Sequence, residues 1–335
     1  MKPTLTEALT WPAQGYTDTA ALGREMRRLC SLGLDCLPAP AGGDTLQRWQ
    51  CLAAMAGHDL GLCKLYEGHT DALAIMHELG AEPAPPGSIW GMWASEPPQA
   101  RVMVRHEGDR VLLSGRKAWC SGASVVTHGL LTAWDDDGQQ QLVAVPMDQP
   151  NLCVTDDGWN AVGMVNTGSV EILLENAEGW YVGTPGSYLD RRGFWLGGIG
   201  IAACWFGGAR ELARKLAQRC HSRPEPHALA HLGAVDQALS ACSAVLRQAA
   251  SMADLQPDAD FEHSARLCRA VAENTAETVI RRVGRALGAG PYCKDPHFAR
   301  LIADLPVYLR QSHAERDLAA LGQLVGAPTT RTWSL

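Results

Sequence analysis

Apolar positions recur at helical spacing from the start of the chain to about Gly80, in ALGREMRRLCSLGL, in TLQRWQCLAAMAGHDLGLCKLYEG and in TDALAIMHELG. Gly80 stands where a helix C-cap belongs, and His69 falls in the turn expected between the last two stretches. The prolines of residues 81–87 forbid continuation of a helix and predict a linker. From Ser88 the period shortens to that of strands. ARVMVRHEG and RVLLSGRKAW flank an acidic-glycine turn at residues 107–109, and LLTAWDDDGQQQLVAVPM repeats the hairpin pattern around residues 135–138. Several short strands with regular turn signals predict a small barrel or sandwich reaching to about Gly186. After Arg192 the pattern is helical again, over residues 193–220, 227–252, 262–287 and 305–325, and four such helices predict a bundle. The chain is therefore expected to be α+β, with an N-terminal helical domain (1–87), a middle β-barrel domain (88–188) and a C-terminal four-helix bundle (189–335).

Composition narrows the class. With 335 residues and 46% hydrophobic content the chain can bury a large core. Its net charge of −7, without any Lys/Arg-rich run, argues against nucleic acid or an anionic membrane surface as partner. The eleven cysteines are scattered and none is in C-x-x-C spacing, and the first residues lack the apolar core of a signal peptide. A cytoplasmic protein with reduced thiols is expected. The nearly uncharged run at residues 193–209, GFWLGGIGIAACWFGGA, is short for a membrane span and rich in glycine. It predicts a buried helix whose small residues permit close packing.

Candidate chemistry is concentrated in two stretches of the β-rich segment. Residues 115–123 read GRKAWCSGA, and residues 95–97 read SEP. Each offers a small hydroxyl, Ser121 or Ser95, beside an aromatic residue, Trp119 or Trp93. An indole can cover one face of a flat redox ring while hydroxyls and backbone N–H groups bond its polar edge, so a flavin is the first candidate. The bland reading of the same residues is a core tryptophan and two serines capping strand ends.

Taken in order, these motifs resemble the acyl-CoA dehydrogenase family, whose flavin-facing strands read roughly TEPGAGSD and then G-x-K-x-W-I-T-x-G. Gly115, Lys117, Trp119, Ser121 and Gly122 keep the second motif in step, whereas the first keeps Ser95, Glu96 and Pro97 and then breaks into PQAR. VGMVNTGSVEILLENA at residues 162–177 and LGAGPY at residues 287–292 continue the resemblance over nearly the whole chain. It implies a flavin, FAD in that family, held with Trp119 on the ring, Ser121 at its N5 edge and Ser95 from the first strand. It implies an acyl-CoA or acyl-carrier-protein substrate, with an electron-transfer partner or oxygen as acceptor. Gly288 and Gly290 match the family's turn that holds the flavin's adenosine and pyrophosphate across a subunit interface, and a homodimer or homotetramer is expected.

The family's catalytic glutamate is missing. Its count from the aspartate matched by Asp304 lands on Ser312, and a second location used by some members falls near Gly197. Glu315, one helical turn beyond Ser312, and the adjacent His313 are the candidate bases. HSRPEPH at residues 221–227 replaces the family's R-x-x-F-G segment, leaving Arg223 as a remnant. His69, flanked by Glu67 and Asp71, is a candidate for the substrate cavity. His227 and His231 stand four apart but lack a third ligand, and no metal is expected. The expected function is that of a flavin-dependent oxidoreductase on an acyl thioester. The alternatives are a reduced-flavin monooxygenase on the same fold and a non-catalytic binding or assembly subunit.

Overall fold

The computed structural model describes residues 3–326, apart from Ala13 and Asp109, together with Trp333. Four helices come first: α1 (Leu5–Ala8), α2 (Thr19–Ser31), α3 (Thr45–His58) and α4 (Leu60–Glu78). Asp18 caps α2 by accepting from the Ala21 N–H. The helices α3 and α4 break at Asp59, whose backbone is extended, and not near Gly68 as periodicity alone suggests. His69 therefore lies inside α4. Gly68 is an interior position of α4 against β1, where a Cβ would make an ordinary contact with the Met92 nitrogen at 3.5 Å.

Seven strands follow: β1 (Trp90–Trp93), β2 (Val102–Glu107), β3 (Arg110–Cys120), β4 (His128–Trp134), β5 (Gln140–Pro146), β6 (Leu152–Val154) and β7 (Val170–Tyr181). The pairing runs β4-β2-β3-β7-β5 and returns through β4–β5, which closes a barrel, with β1 added to β4 and β6 to β7. Both expected hairpin turns form, around Gly108 and Gly138, each with positive φ, and Asp109 of the first lies outside the described residues. The strand β2 alternates buried and exposed positions at its start, whereas β4 and β5 are buried on both faces. Helix α4 explains the difference. Its Ala72, Ile75 and Met76 pack with Trp90, Leu130, Leu142, Ala144 and Val182 in one buried cluster, each large side chain contributing about 1.5–3 kcal/mol.

After α5 (Ser187–Asp190) come the long helices α6 (Gly193–Ser222), α7 (Pro226–Leu255) and α8 (Glu262–Leu287), then α9 (Ala289–Lys294), α10 (Pro296–Tyr308) and α11 (Glu315–Val325). The expected single helix over 305–325 is two. A 3₁₀ turn at Leu309–Gln311 ends α10, and Ala314, with φ +47°, starts α11 in a new direction. Contacts divide the chain into two compact units, Met1–Leu37 with Gly61–Phe194, and Pro38–Leu60 with Trp195–Leu335. The barrel and α4 belong to the first, α3 and the C-terminal helices to the second. All eleven cysteines are free thiols.

Candidate functional site

The site is built at the end of the barrel wall where β1 and β3 finish. Between Lys117 and Cys120 the register of β3 against β7 shifts, and Trp119 in that bulge has φ +57°. A bulge re-aims a side chain. Lys117 and Cys120 are fully buried on either side, while the Trp119 indole is turned outward and 51% exposed. A tryptophan held in the left-handed region stores about 1–3 kcal/mol of strain, which the surrounding ladder must sustain. An outward-facing indole so held is a ready surface for a flat ring.

Where β1 and β3 finish lies a small open cleft, with room for about one water molecule, lined by Lys64, Leu65 and Gly68 of α4, by Trp90, Gly91, Met92 and Trp93 of β1, and by Ser121 and Val126. The Trp93 indole forms a rigid wall because two glycines make room for it. A Cβ at Gly91 would lie 2.5 Å from the ring and one at Gly129, its partner on β4, 2.4 Å. Trp93 Nε1 donates to the Ser121 carbonyl at 3.2 Å, tying the wall to the end of β3. The lining is apolar with one hydroxyl and one ammonium, and Lys64 is paired with Glu67 at 2.9 Å.

The two motifs are joined by an ion pair between the buried Lys117 and the half-buried Glu96. Lys117 Nζ donates to the Thr132 carbonyl at 2.7 Å and to its hydroxyl at 2.8 Å, and meets Glu96 Oε1 at 3.5 Å. Glu96 also accepts from the Thr132 hydroxyl at 2.6 Å, from Trp134 Nε1 at 2.9 Å and from Gln140 Nε2 at 3.4 Å. Burial pushes the Lys117 ammonium down to about 8, with the Glu96 charge acting against the shift. Glu96 adjoins Ser95 and Lys117 lies two residues from Trp119, so the pair holds the SEP segment against β3.

Ser121 begins a chain of hydroxyls. Its Oγ lies 2.7 Å from Ser169 Oγ, which lies 2.8 Å from Thr167 Oγ1, and Thr167 donates to the Met164 carbonyl at 2.8 Å. All three side chains are buried.

His69 is 1% exposed and joins three segments of the barrel unit. Its Nδ1 accepts from the Trp90 N–H at 3.1 Å, and its Nε2 faces Asp35 Oδ2 at 3.2 Å and Cys30 Sγ at 3.6 Å. Cys30, Asp35 and His69 are close enough together to surround a metal ion. The hydrogen bonds argue otherwise: with Nδ1 accepting from an amide, the ring proton sits on Nε2, the atom a metal would need. That proton points at Asp35, whose carboxyl is held below the usual range by the His69 hydrogen bond although burial acts the other way. Burial pushes the Cys30 thiol up to about 12, so it is not a nucleophile near neutral pH.

Of the residues singled out in the sequence, Ser95, Trp119, Ser121 and His69 all lie in the barrel unit, with Ser95 half-buried just beyond β1. The others lie in the helical unit. Gly288 ends α8 with φ +64° and Gly290 lies in α9, both exposed, and a Cβ at either would meet nothing within 4 Å. Ser312 is buried and donates to Glu273 Oε2 at 2.5 Å. His313 is exposed, 3.5 Å from Asp317, and Glu315 is exposed at the first turn of α11. Because the helix breaks at Ala314, Glu315 does not share a helical face with Ser312. Sequence reasoning missed Ser169 and the Glu96–Lys117 pair. Glu96 and Lys117 each stand inside a motif, which was the available signal, whereas nothing local marks Ser169 as the partner of Ser121.

No protein-family model matches the chain, and no curated protein does. Solved structures do. The FMN-bound dibenzothiophene monooxygenase TdsC of Paenibacillus sp. A11-2 superposes with a TM-score of 0.77 at 18% identity, covering 94% of this chain and 92% of its own. Methanesulfinate monooxygenase MsuC of Pseudomonas fluorescens gives 0.77 at 20%, covering 95% of each chain. A nitrososynthase of Micromonospora carbonacea var. africana gives 0.75 at 19%, covering 92% of this chain and 93% of its own. The helical segment, closed barrel and helical bundle of this chain are thus, over nearly its whole length, the fold shared by these enzymes, the acyl-CoA dehydrogenase-like fold.

Proposed function

We propose that this protein is a flavin-dependent oxidoreductase that uses flavin supplied in the reduced form to insert oxygen into a small substrate. The observation that carries the reading is the lining of the cleft at the ends of β1 and β3: tryptophan, methionine and leucine walls, the Ser121 hydroxyl and the Lys64 ammonium, and no carboxylate among its residues. Removal of an α-proton from an acyl thioester needs a positioned base. Oxygen insertion does not. Reduced flavin and O₂ supply the electrons and the oxygen, one atom going to the substrate and the other leaving as water. The likeness to two monooxygenases supports the choice, and the residues present fit a flavin: an exposed indole for its face and hydroxyls for its edge. The second reading, dehydrogenation of a CoA- or carrier-linked acyl thioester with FAD and an electron-transfer partner, is favoured by the GRKAWCSGA segment and needs Glu315 or His313 as base.

One experiment separates them. Purified protein is titrated anaerobically with FMN and with FAD, then mixed with dithionite-reduced flavin, oxygen and candidate substrates. Substrate-dependent oxygen uptake without peroxide release is expected, and acyl-CoA thioesters should leave oxidised bound flavin yellow. Anaerobic bleaching by an acyl thioester that Glu315→Gln abolishes would establish dehydrogenation instead, and protein that takes up neither flavin would remove both readings in favour of a binding or assembly subunit.

Assembly is the second expectation. Helix α7 is, among the described residues, the one helix long and apolar enough to cross a membrane, with a mean hydropathy of 1.3 over its most apolar window. Only 17% of that window is buried. A second copy of this chain packed on that face would cover it, giving a homodimer or homotetramer. Light scattering should return a multiple of the 36.0 kDa chain mass. A monomer at micromolar concentration, or partition into detergent micelles, would refute this.

A further inference from the structure

The cleft where β1 and β3 finish is walled by the buried side chains of Leu65, Trp90, Trp93 and Val126, with Met92 partly exposed beside them. Among these apolar walls stands one charged group, the Lys64 ammonium of α4. Lys64 Nζ donates to Glu67 Oε2 at 2.9 Å, one turn along the helix, and the two side chains are only 15% and 9% exposed. Helical spacing explains why the two meet but not why they are buried. Opposite charges taken out of water give up hydration that their attraction barely returns, and apolar side chains of similar volume often serve stability as well or better. Packing of α4 against the barrel therefore does not require a charge here. Ligand clefts are built in this manner, with apolar walls and a charged or polar group set among them that fixes what the ligand must carry.

The chemistry of the pair gives the sign of that ligand. An ammonium has N–H donors and no acceptor, so it recognises an acceptor, and an ionised one most strongly. Glu67 is not among the residues that line the cleft, so an incoming group meets the ammonium and not the carboxylate. Glu67 also holds Nζ in place, and a side chain already ordered need not be ordered again on binding. Resting on the reading of this cleft as the substrate side of a flavin site, we propose that Lys64 is a specificity-determining residue and that the substrate is a short organic acid anion. Its charged head fills the space of about one water beside the ammonium, and its apolar body lies against the tryptophan and methionine walls. Amines are excluded by like charge, and neutral molecules of the same shape lose the charge-assisted hydrogen bond.

The test titrates benzoate and its neutral counterpart benzamide into the purified protein, read by saturation transfer to the ligand's NMR signals, with FMN titrated separately into each variant. Wild-type protein is expected to bind benzoate on the order of tenfold more tightly than benzamide. Glu67→Gln keeps the volume and removes the carboxylate that competes for the ammonium, so benzoate affinity should rise severalfold while that of benzamide stays. A lysine held there only as the structural partner of Glu67 gives no such gain. Lys64→Met is made together with Glu67→Gln, so that no buried carboxylate loses its cation, and this double variant should bind the two probes equally. Equal affinity of wild-type protein for the probes, a preference that survives in the double variant, or benzoate binding unmoved or weakened by Glu67→Gln overturns the inference, and FMN binding in the same samples leaves the flavin reading standing. Protein that prefers benzoate as expected but takes up no flavin upholds the anion site and defeats the flavin reading instead.

Discussion

Trp119→Gly is expected to strip flavin from the protein while leaving it as stable as before or slightly more so. Two effects act on this residue with opposite sign. The indole is 51% exposed and supports no core, and its backbone sits at φ +57°, where glycine is unstrained. Removing the side chain therefore relieves roughly 1 kcal/mol of strain against a small loss of packing. Flavin binding loses a stacking face, a contribution of about 1–3 kcal/mol by analogy with base–aromatic stacks, or roughly tenfold to a hundredfold in affinity. Fluorescence titration with FMN and FAD reads the second effect and urea denaturation the first. If the variant unfolds earlier than wild type and binds flavin as well as before, Trp119 is a structural residue and the cofactor face lies elsewhere.

A single substitution should have opposite signs at two glycines of the helical unit. A Cβ at Gly207 of α6 would lie 2.1 Å from the Ala53 carbonyl oxygen of α3, a backbone atom that can retreat only if the helix moves. The greater helix propensity of alanine returns about 1 kcal/mol, and forcing the two helices apart costs about 3 kcal/mol or more. Gly207→Ala should therefore lose roughly 2 kcal/mol of stability. At Gly233 of α7 an added Cβ meets nothing within 4 Å, so the propensity acts alone and Gly233→Ala should gain up to about 1 kcal/mol. Denaturant midpoints of the two variants decide it. Equal shifts in one direction would mean that α6 and α3 are not in contact as described, and a loss at Gly233 alone would place a partner against α7.

Much of this arrangement was legible along the chain because it rests on interactions between near neighbours. The hairpins turn at Gly108 and Gly138, where short acidic-glycine segments meet alternating strands. The end of α8 is at Gly288, and the glycine-rich run after Arg192 is a helix in close contact with α3. Trp119 and Ser121 could be singled out because their motif is contiguous. The break at Asp59 and the split at Ala314 were not legible, since neither carries proline or the left-handed glycine that marks a stop locally.

What only the tertiary structure decided is which groups meet. Glu96 finds Lys117, Thr132, Trp134 and Gln140 only when closure of the barrel brings side chains of β3, β4 and β5 together. His69 loses its place in a turn and becomes a buried link to Trp90 because α4 runs on through Gly68 against β1. Ser121 and Ser169 are brought together by the pairing of β3 with β7, across a bulge that also turns Trp119 outward. The amino-acid sequence by itself determined the residue types, a hydroxyl here and an indole there. Which partner each group meets depends on what lies opposite, and in a closed barrel that is set by segments distant along the chain, as it is for Ser121, which meets Ser169 just ahead of β7.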